Sequence, residues 1–179
     1  FSPVAEARAD HARVARWQAF AGTVRSAVET AGWDGSWYRR AYYDDGTPLG
    51  SALNAECRID AIAQSWSVMS GAADPVRAAS AMAAVDTQLM DRKHRVAMLF
   101  TPPFEHTTHD PGYIKSYPPG VRENGGQYTH GSIWSIFAWA RLGNGNKAAE
   151  LFDIFNPVLH TDTASGANHF KVEPYVSCA

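Results

Sequence analysis

Two cysteines, Cys57 and Cys178, are all the chain has. They exclude a framework of several disulfides and a four-cysteine zinc site, and leave room for one bridge at most. Surplus charge is missing too: 16 basic against 18 acidic residues give a formal net charge of -2. Without a basic excess, nothing is available to neutralise a run of nucleic-acid phosphates or to hold an anionic membrane surface, so no nucleic-acid partner is expected. The apolar stretches are short and interrupted by polar residues, so this segment is expected not to insert into a membrane. Internal repeats and low-complexity tracts are absent. The first residues, Phe-Ser-Pro-Val, run into an Ala/Arg-rich helical pattern and are read as something other than a secretory leader.

What is present is material for a core. The 179 residues are 45% hydrophobic, enough for one domain or a large piece of a bigger one, and too much for a disordered chain. Six Trp contribute to an aromatic share of 12%, a surplus of flat rings available to pack on a ligand. The chain begins without Met and ends in the mostly apolar Tyr175-Val176-Ser177-Cys178-Ala179, so both ends are read as cut.

Periodicity predicts a mainly helical fold. Val14, Trp17, Phe20, Ala21, Val24 and Val28 recur at steps of three and four inside one long helix from about Pro3 to Thr30. Tyr38, Tyr42 and Tyr43, followed by Asp44-Asp45-Gly46-Thr47-Pro48, predict a strand and a tight turn. Ile59, Ile62, Ala63, Trp66 and Met69 predict a second helix. Asp74-Pro75 predicts the capped start of a third, with Val76, Ala79, Met82, Ala83 and Leu89 on its apolar face and Lys93 and His94 near its negative pole. From Thr101 to Tyr128 prolines and glycines break every period, and a loop this long inside a domain usually carries function. Gly131–Leu142 is apolar on nearly every side and is expected to be buried on every side. Ala148, Leu151, Phe152 and Phe155 predict an amphipathic helix stopped by Asn156-Pro157, and the tail from His169 to Val176 reads as extended. Amphipathic helices alternating with more apolar ones fit a double-layered helical barrel, of which these helices are too few to close a ring.

Four groups of residues are candidates for chemistry. His106 and His109 stand three apart, but their segment is flanked by prolines and brings no third ligand, so it reads as a surface loop. Cys57 and Cys178 lack a histidine partner or an electropositive setting and read as inert thiols. Trp33, Trp37, Tyr38, Tyr42 and Tyr43 admit two readings, a platform for sugar rings or ordinary strand packing. The most informative stretch is Glu123-Asn124-Gly125-Gly126-Gln127-Tyr128-Thr129-His130. Its glycine pair permits a sharp bend and close ligand approach, its side chains supply donors and acceptors of every kind, and the helix N-terminus beside His130 favours an anion.

At these residues the chain resembles glycoside hydrolase family 94, the cellobiose phosphorylase-like enzymes. The matching segments are Trp33-Asp34-Gly35-Ser36-Trp37-Tyr38-Arg39-Arg40-Ala41-Tyr42, Ile62-Ala63-Gln64-Ser65-Trp66-Ser67-Val68-Met69-Ser70-Gly71, Tyr117-Pro118-Pro119-Gly120-Val121-Arg122-Glu123-Asn124-Gly125-Gly126 and Val172-Glu173-Pro174-Tyr175-Val176. Within that family, Gly126-Gln127-Tyr128-Thr129-His130 and Lys171-Val172-Glu173-Pro174-Tyr175-Val176 are most similar to the C-terminal phosphorylase-like domain of cyclic β-1,2-glucan synthases, as is Asn156-Pro157 followed by His160.

The resemblance implies an incomplete (α/α)6 barrel with a short β-hairpin and long loops. It implies inverting phosphorolysis of a β-glucan, with inorganic phosphate as co-substrate and no other cofactor. His130 matches the phosphate-binding histidine, and Glu123, Arg122 and Tyr117 match positions lining the sugar site. Gln127, Gln64, Trp66, Trp37 and Arg40 lie in matching motifs and join them as substrate-binding candidates. The family's general acid is an Asp in an Asp-Trp-Asn-Asp type motif, which has no counterpart here and is expected before Phe1. The Thr-Gly phosphate segment is expected after Ala179. Residues 1–179 are therefore expected to form part of a catalytic domain, inactive alone and completed by the rest of a parent polypeptide. That parent is implied to place the domain on the cytoplasmic side of a bacterial inner membrane. A soluble phosphorylase of β-1,2-oligoglucans or of a cellobiose-type disaccharide, and a non-catalytic glucan-binding unit, are the alternative readings.

Overall fold

The computed structural model describes residues 1–177. Cys178, one of the two candidate thiols, and Ala179 lie outside the described residues. In chain order the helices are α1 (Ser2–Ala7), α2 (His11–Ala27), α3 (Ala61–Met69), α4 (Pro75–Gln88), α5 (Thr129–Arg141), α6 (Gly145–Phe155), α7 (Pro157–His160) and α8 (Ala164–Phe170). The strands are β1 (Ala41–Tyr42), β2 (Pro48–Leu49), β3 (Ile59–Asp60), β4 (Met90–Asp91), β5 (Val96–Ala97) and β6 (Phe100–Thr101). They pair only in antiparallel twos, β1 with β2, β3 with β6 and β4 with β5. Helix covers 51% of the chain and strand 8%, so the fold is mainly α.

Capping side chains set where most helices begin. Asp10 accepts a hydrogen bond from the Arg13 N–H before α2, Asp60 from Ile62 before α3, and Asp74 from Val76 and Arg77 before α4. Asn144, Asn156 and Thr163 do the same for α6, α7 and α8. Each satisfies a first-turn N–H that has no partner within the helix, worth about 1 kcal/mol.

The core lies between α3, α4, α5 and α6. α3 packs on both α4 and α5, and α5 packs on α6. Met82, Val85, Leu89, Leu151 and Ile59 are fully enclosed there, and each side chain of this size contributes about 1.5–3 kcal/mol through burial. Small residues let α3 and α5 approach: the buried Ser65 and Ser135 hydroxyls bond to each other at 2.9 Å. A second cluster of Cys57, Leu99, Phe100 and Phe104 sits beneath β3 and β6, with Leu49, Ile62, Ile114 and Tyr128 against it.

Several elements differ from the sequence expectation. The first long helix is two, broken at Ala9, whose φ is +59°, and it ends in a π-helical turn over Val28–Gly32. Its apolar stripe buries Val14 alone within α2, while Phe20 and Val24 are exposed. The buried face of α4 is Ala78, Ala81, Met82, Ala84 and Val85, so Val76, Ala79 and Ala83 face outward. Periodicity could not fix that rotation because alanines populate every side of this helix. Lys93 and His94 stand in the turn between β4 and β5, past the end of α4. α5 is apolar all round but packed on one side, leaving Ile133 and Phe137 exposed. On α6, Ile154 takes the buried position and Phe152 is exposed. Asn156-Pro157 stops α6 and at once starts α7, and α8 occupies Ala164–Phe170, so His169 and Phe170 are helical where extended chain was expected. The predicted hairpin is β1–β2, while Tyr38 makes an isolated bridge with Trp33. Among the described residues, no helix is long and apolar enough to cross a membrane.

Candidate functional site

The irregular stretch before α5 is held by one side chain. Asn124 is fully buried; its Oδ1 accepts the Phe104 N–H, and its amide donates to the carbonyls of Phe104 and Tyr117. Three backbone groups on two separate turns are thereby tied together, which fixes Glu123 beside them. The glycine pair serves the same fold. Gly125 has φ +79°, and a Cβ on Gly126 would lie 2.7 Å from the Gly120 carbonyl oxygen. The close approach that requires glycine at position 126 is thus made by the loop's own backbone, where the sequence reading expected a ligand. Arg122, also at positive φ, lays its guanidinium 4.9 Å over the Tyr117 ring. A non-glycine residue in this region costs about 1–3 kcal/mol, strain that ordered loops carry where a side chain must be aimed.

Behind this loop is a cavity of about 380 Å³, lined by Arg40, Asp60, Glu123, Tyr113, Tyr128 and a largely apolar floor of Leu49, Ile62, Leu99, Phe100 and Phe104. An apolar pocket with a few convergent polar groups is the usual form of a small-ligand site. Glu123 is its most telling wall. The side chain is 15% exposed, its Oε2 lies 3.4 Å from Arg122 Nε, and that oxygen is buried and accepts no hydrogen bond among the described residues. A carboxylate oxygen left this way costs free energy until a donor reaches it.

The same cavity is also lined by an ion pair that sequence reasoning half missed. Arg40, a candidate from its motif, donates from Nη1 to Asp60 Oδ2 at 2.6 Å, while Asp60 Oδ1 caps α3 through the Ile62 N–H at 2.7 Å. Burial pushes the Asp60 carboxyl up from the ordinary carboxylate range, and Arg40 pulls it the other way. Asp60 went unread in the sequence, because nothing in the local pattern reveals that Arg40, 20 residues earlier, folds back onto it. Cys57 lines the same cavity, and burial pushes its thiol pKa far above the usual value, which suppresses the reactive thiolate.

A second group of candidates forms an aromatic row along α3 and α5. The exposed His130 ring lies 4.6 Å from Trp134, and Trp134 meets the exposed Trp66 edge-on at 5.4 Å. Tyr128, shared with the cavity wall, is 6.4 Å from His130. The first turn of α5 therefore joins the cavity to this row. Tyr128 occupies its N-cap without a side-chain cap, and the partial positive charge of that helix end lies beside His130.

Other candidates are placed as braces. Trp37 is buried, donating its indole N–H to the carbonyls of Gly50 and Arg58. Gln64 is fully buried and bonds both the N–H and the carbonyl of Tyr38, as well as the Asp60 carbonyl. Gln127 accepts the Ala97 N–H at 3.0 Å. Of the aromatic platform, Trp33 and Tyr38 pack edge to face, and Tyr43 stacks on His109 at 4.7 Å. His109 also contacts Asp45 at 3.1 Å, and among the described residues no three His, Cys, Asp or Glu side chains gather as a metal site would need.

Comparison with known proteins adds a family. The model described as "Glycosyl hydrolase 94 superfamily, catalytic domain" matches residues 1–179. The chain is 54% identical over 179 residues to "Cyclic beta-(1,2)-glucan synthase NdvB" of Rhizobium meliloti (strain 1021), covering 100% of this chain and 6% of that protein. It is 37% identical over 152 residues to "Solabiose phosphorylase" of Paenibacillus borealis, covering 85% of this chain and 19% of that protein. With "N,N'-diacetylchitobiose phosphorylase" of Vibrio furnissii it shares 34% identity over 164 residues, 90% of this chain and 20% of that protein. The chain thus spans a fifth or less of the length of these relatives.

Proposed function

The chain belongs to the glycosyl hydrolase 94 superfamily, and from that premise we propose that it is part of an inverting phosphorylase-type domain that acts on a β-glucan, β-1,2-linked, within a cyclic β-1,2-glucan synthase. The observation that carries the reading is the Glu123 side chain, which lines the largely apolar cavity together with Arg40, its Oε2 buried beside Arg122. A sugar ring suits this lining: its hydroxyls can meet the Glu123 carboxylate and the Arg40 guanidinium, and its C–H faces the apolar and aromatic floor. Identity of 54% with a protein named a cyclic β-(1,2)-glucan synthase, against 37% with one named a solabiose phosphorylase, favours the synthase reading over the soluble alternative.

In this reading Glu123 and Arg40 hold the hydroxyls of one glucosyl unit in the cavity, with Tyr117, Arg122 and Tyr128 at its edge. Trp37, Gln64 and Gln127 keep the surrounding segments in place, and Trp66 offers a face to a neighbouring sugar unit. His130, at the positive end of α5, holds inorganic phosphate. Phosphate, already an anion, attacks the anomeric carbon without a second carboxylate as base, while an acid protonates the leaving oxygen from the other side and the configuration inverts. The acid is assigned to a residue outside positions 1–179. The same reading has the rest of the polypeptide complete the (α/α)6 barrel over the exposed Phe20, Val24, Ile133 and Phe137, and places the domain on the cytoplasmic side of an inner-membrane protein. The test is phosphate-dependent release of glucose 1-phosphate from linear β-1,2-glucan by the full-length polypeptide. Glucan binding with no release, in a protein that retains the acid, would replace the proposal with a binding role.

A further inference from the structure

Arg40 is the cationic side chain that lines the cavity with Glu123, and among the described residues its guanidinium has a single side-chain anchor. That anchor is unusually well fixed. Asp60 is 2% exposed, its residue pairs with Phe100 in the β3–β6 ladder, its Oδ1 caps α3, and its carbonyl accepts from Gln64. Arg40 itself is fixed at its main chain by the bond from its N–H to the Leu49 carbonyl, while its side chain remains 36% exposed. Only Nη1 is engaged with Asp60, and a guanidinium carries five N–H donors in a rigid fork. Fixing one arm of the fork therefore directs the others.

We propose that Asp60 is a positioning residue for the sugar site, holding the Arg40 guanidinium so that its remaining N–H groups meet the hydroxyl oxygens of the bound glucosyl unit. The inference rests on the sugar-phosphorylase reading of the cavity and deepens it. Arg40 supplies donors to the cavity and Glu123 supplies acceptors, so a ring whose hydroxyls both give and receive hydrogen bonds finds both kinds of partner. Asp60 touches no substrate; it acts through Arg40.

The experiment uses the full-length polypeptide and compares wild type, Asp60→Asn, Arg40→Ala and the double variant in phosphate-dependent release of glucose 1-phosphate. Asn at position 60 keeps an acceptor for the α3 cap and removes the charge that anchors Arg40. Asp60→Asn is expected to raise the KM for glucan by roughly tenfold or more, with kcat and the KM for phosphate changed far less. The double variant is expected to be no worse than Arg40→Ala, because Asp60 has nothing left to position. Added methylguanidine is expected to recover part of the Arg40→Ala activity only while Asp60 is present. Multiplicative losses in the double variant, or rescue that ignores Asp60, would refute a positioning role. So would a normal glucan KM in a folded Asp60→Asn protein. A wild-type protein that neither phosphorolyses nor binds the glucan would overturn the function reading and this inference together, whereas an active wild type with an indifferent Asp60→Asn overturns the inference alone.

Discussion

Helices α2 and α6 carry apolar residues at the same spacing, yet they use them differently. α6 turns Ala148, Leu151, Ile154 and Phe155 into the core against α5. α2 buries Val14 and leaves Phe20 and Val24 exposed, its main contacts being α1 and the π-helical turn. An apolar stripe records that a helix needs a partner; it says nothing about where the partner is. For α6 the partner lies within the described residues. For α2, and for the Ile133 and Phe137 side of α5, the proposed partner is the rest of the polypeptide.

That contrast can be broken or sharpened by measurement. The largest effect belongs to the covered stripe. Leu151→Ala, at a fully enclosed position, is expected to cost about 2–5 kcal/mol, read as a shift in denaturant midpoint; a cost below 1 kcal/mol would mean that the α5–α6 core is looser than described. Next is the cavity. Glu123→Gln should lower kcat/KM for phosphorolysis on the order of a hundredfold, since an amide cannot accept two hydroxyl donors with the strength of a carboxylate. His130→Ala follows, raising the apparent phosphate requirement by about tenfold while leaving the glucan KM near wild type; an unchanged phosphate dependence would move the phosphate site away from α5. The cap at Asp74 is smaller again. Asp74→Ala removes the acceptor for the Val76 and Arg77 N–H groups and is expected to cost about 1 kcal/mol in thermal unfolding. The smallest effect belongs to the uncovered stripe. In the 179-residue chain, Phe20→Asp should reduce hydrophobic-dye binding and association while moving stability by no more than about 0.5 kcal/mol. In the full-length polypeptide the same change is expected to cost several times more, and equal costs in the two settings would remove the difference between α2 and α6.

The elements that were legible in advance are those whose cause is local. Asp74-Pro75 starts α4, Asn156-Pro157 ends α6, and the turn at Asp44–Thr47 joins β1 to β2, each through backbone preferences confined to a few residues. The Glu123–His130 stretch stood out as a candidate site because its residue types gather next to a helix start. The β3–β6 and β4–β5 ladders escaped notice, since two-residue strands carry no period and depend on segments far apart in sequence. The division of the site candidates escaped it as well. Trp37 and Gln64 share motifs with Arg40 and Trp66, but the first pair is enclosed by carbonyl partners and the second reaches the surface.

Residue order alone carried the helical class, the Asp74 cap, the break at Asn156-Pro157 and the family to which the motifs belong, because these follow from nearest-neighbour sterics and from the motifs themselves. Tertiary structure decided which side of each helix is covered and that Asn124 staples the Glu123 loop. It also brought Asp60 to Arg40, and set the Glu123 carboxylate, beside Arg122, into the lining of a largely apolar cavity. Those outcomes depend on contacts between distant segments, and a hydrogen bond or a buried charge exists only once both partners have been brought to the same place.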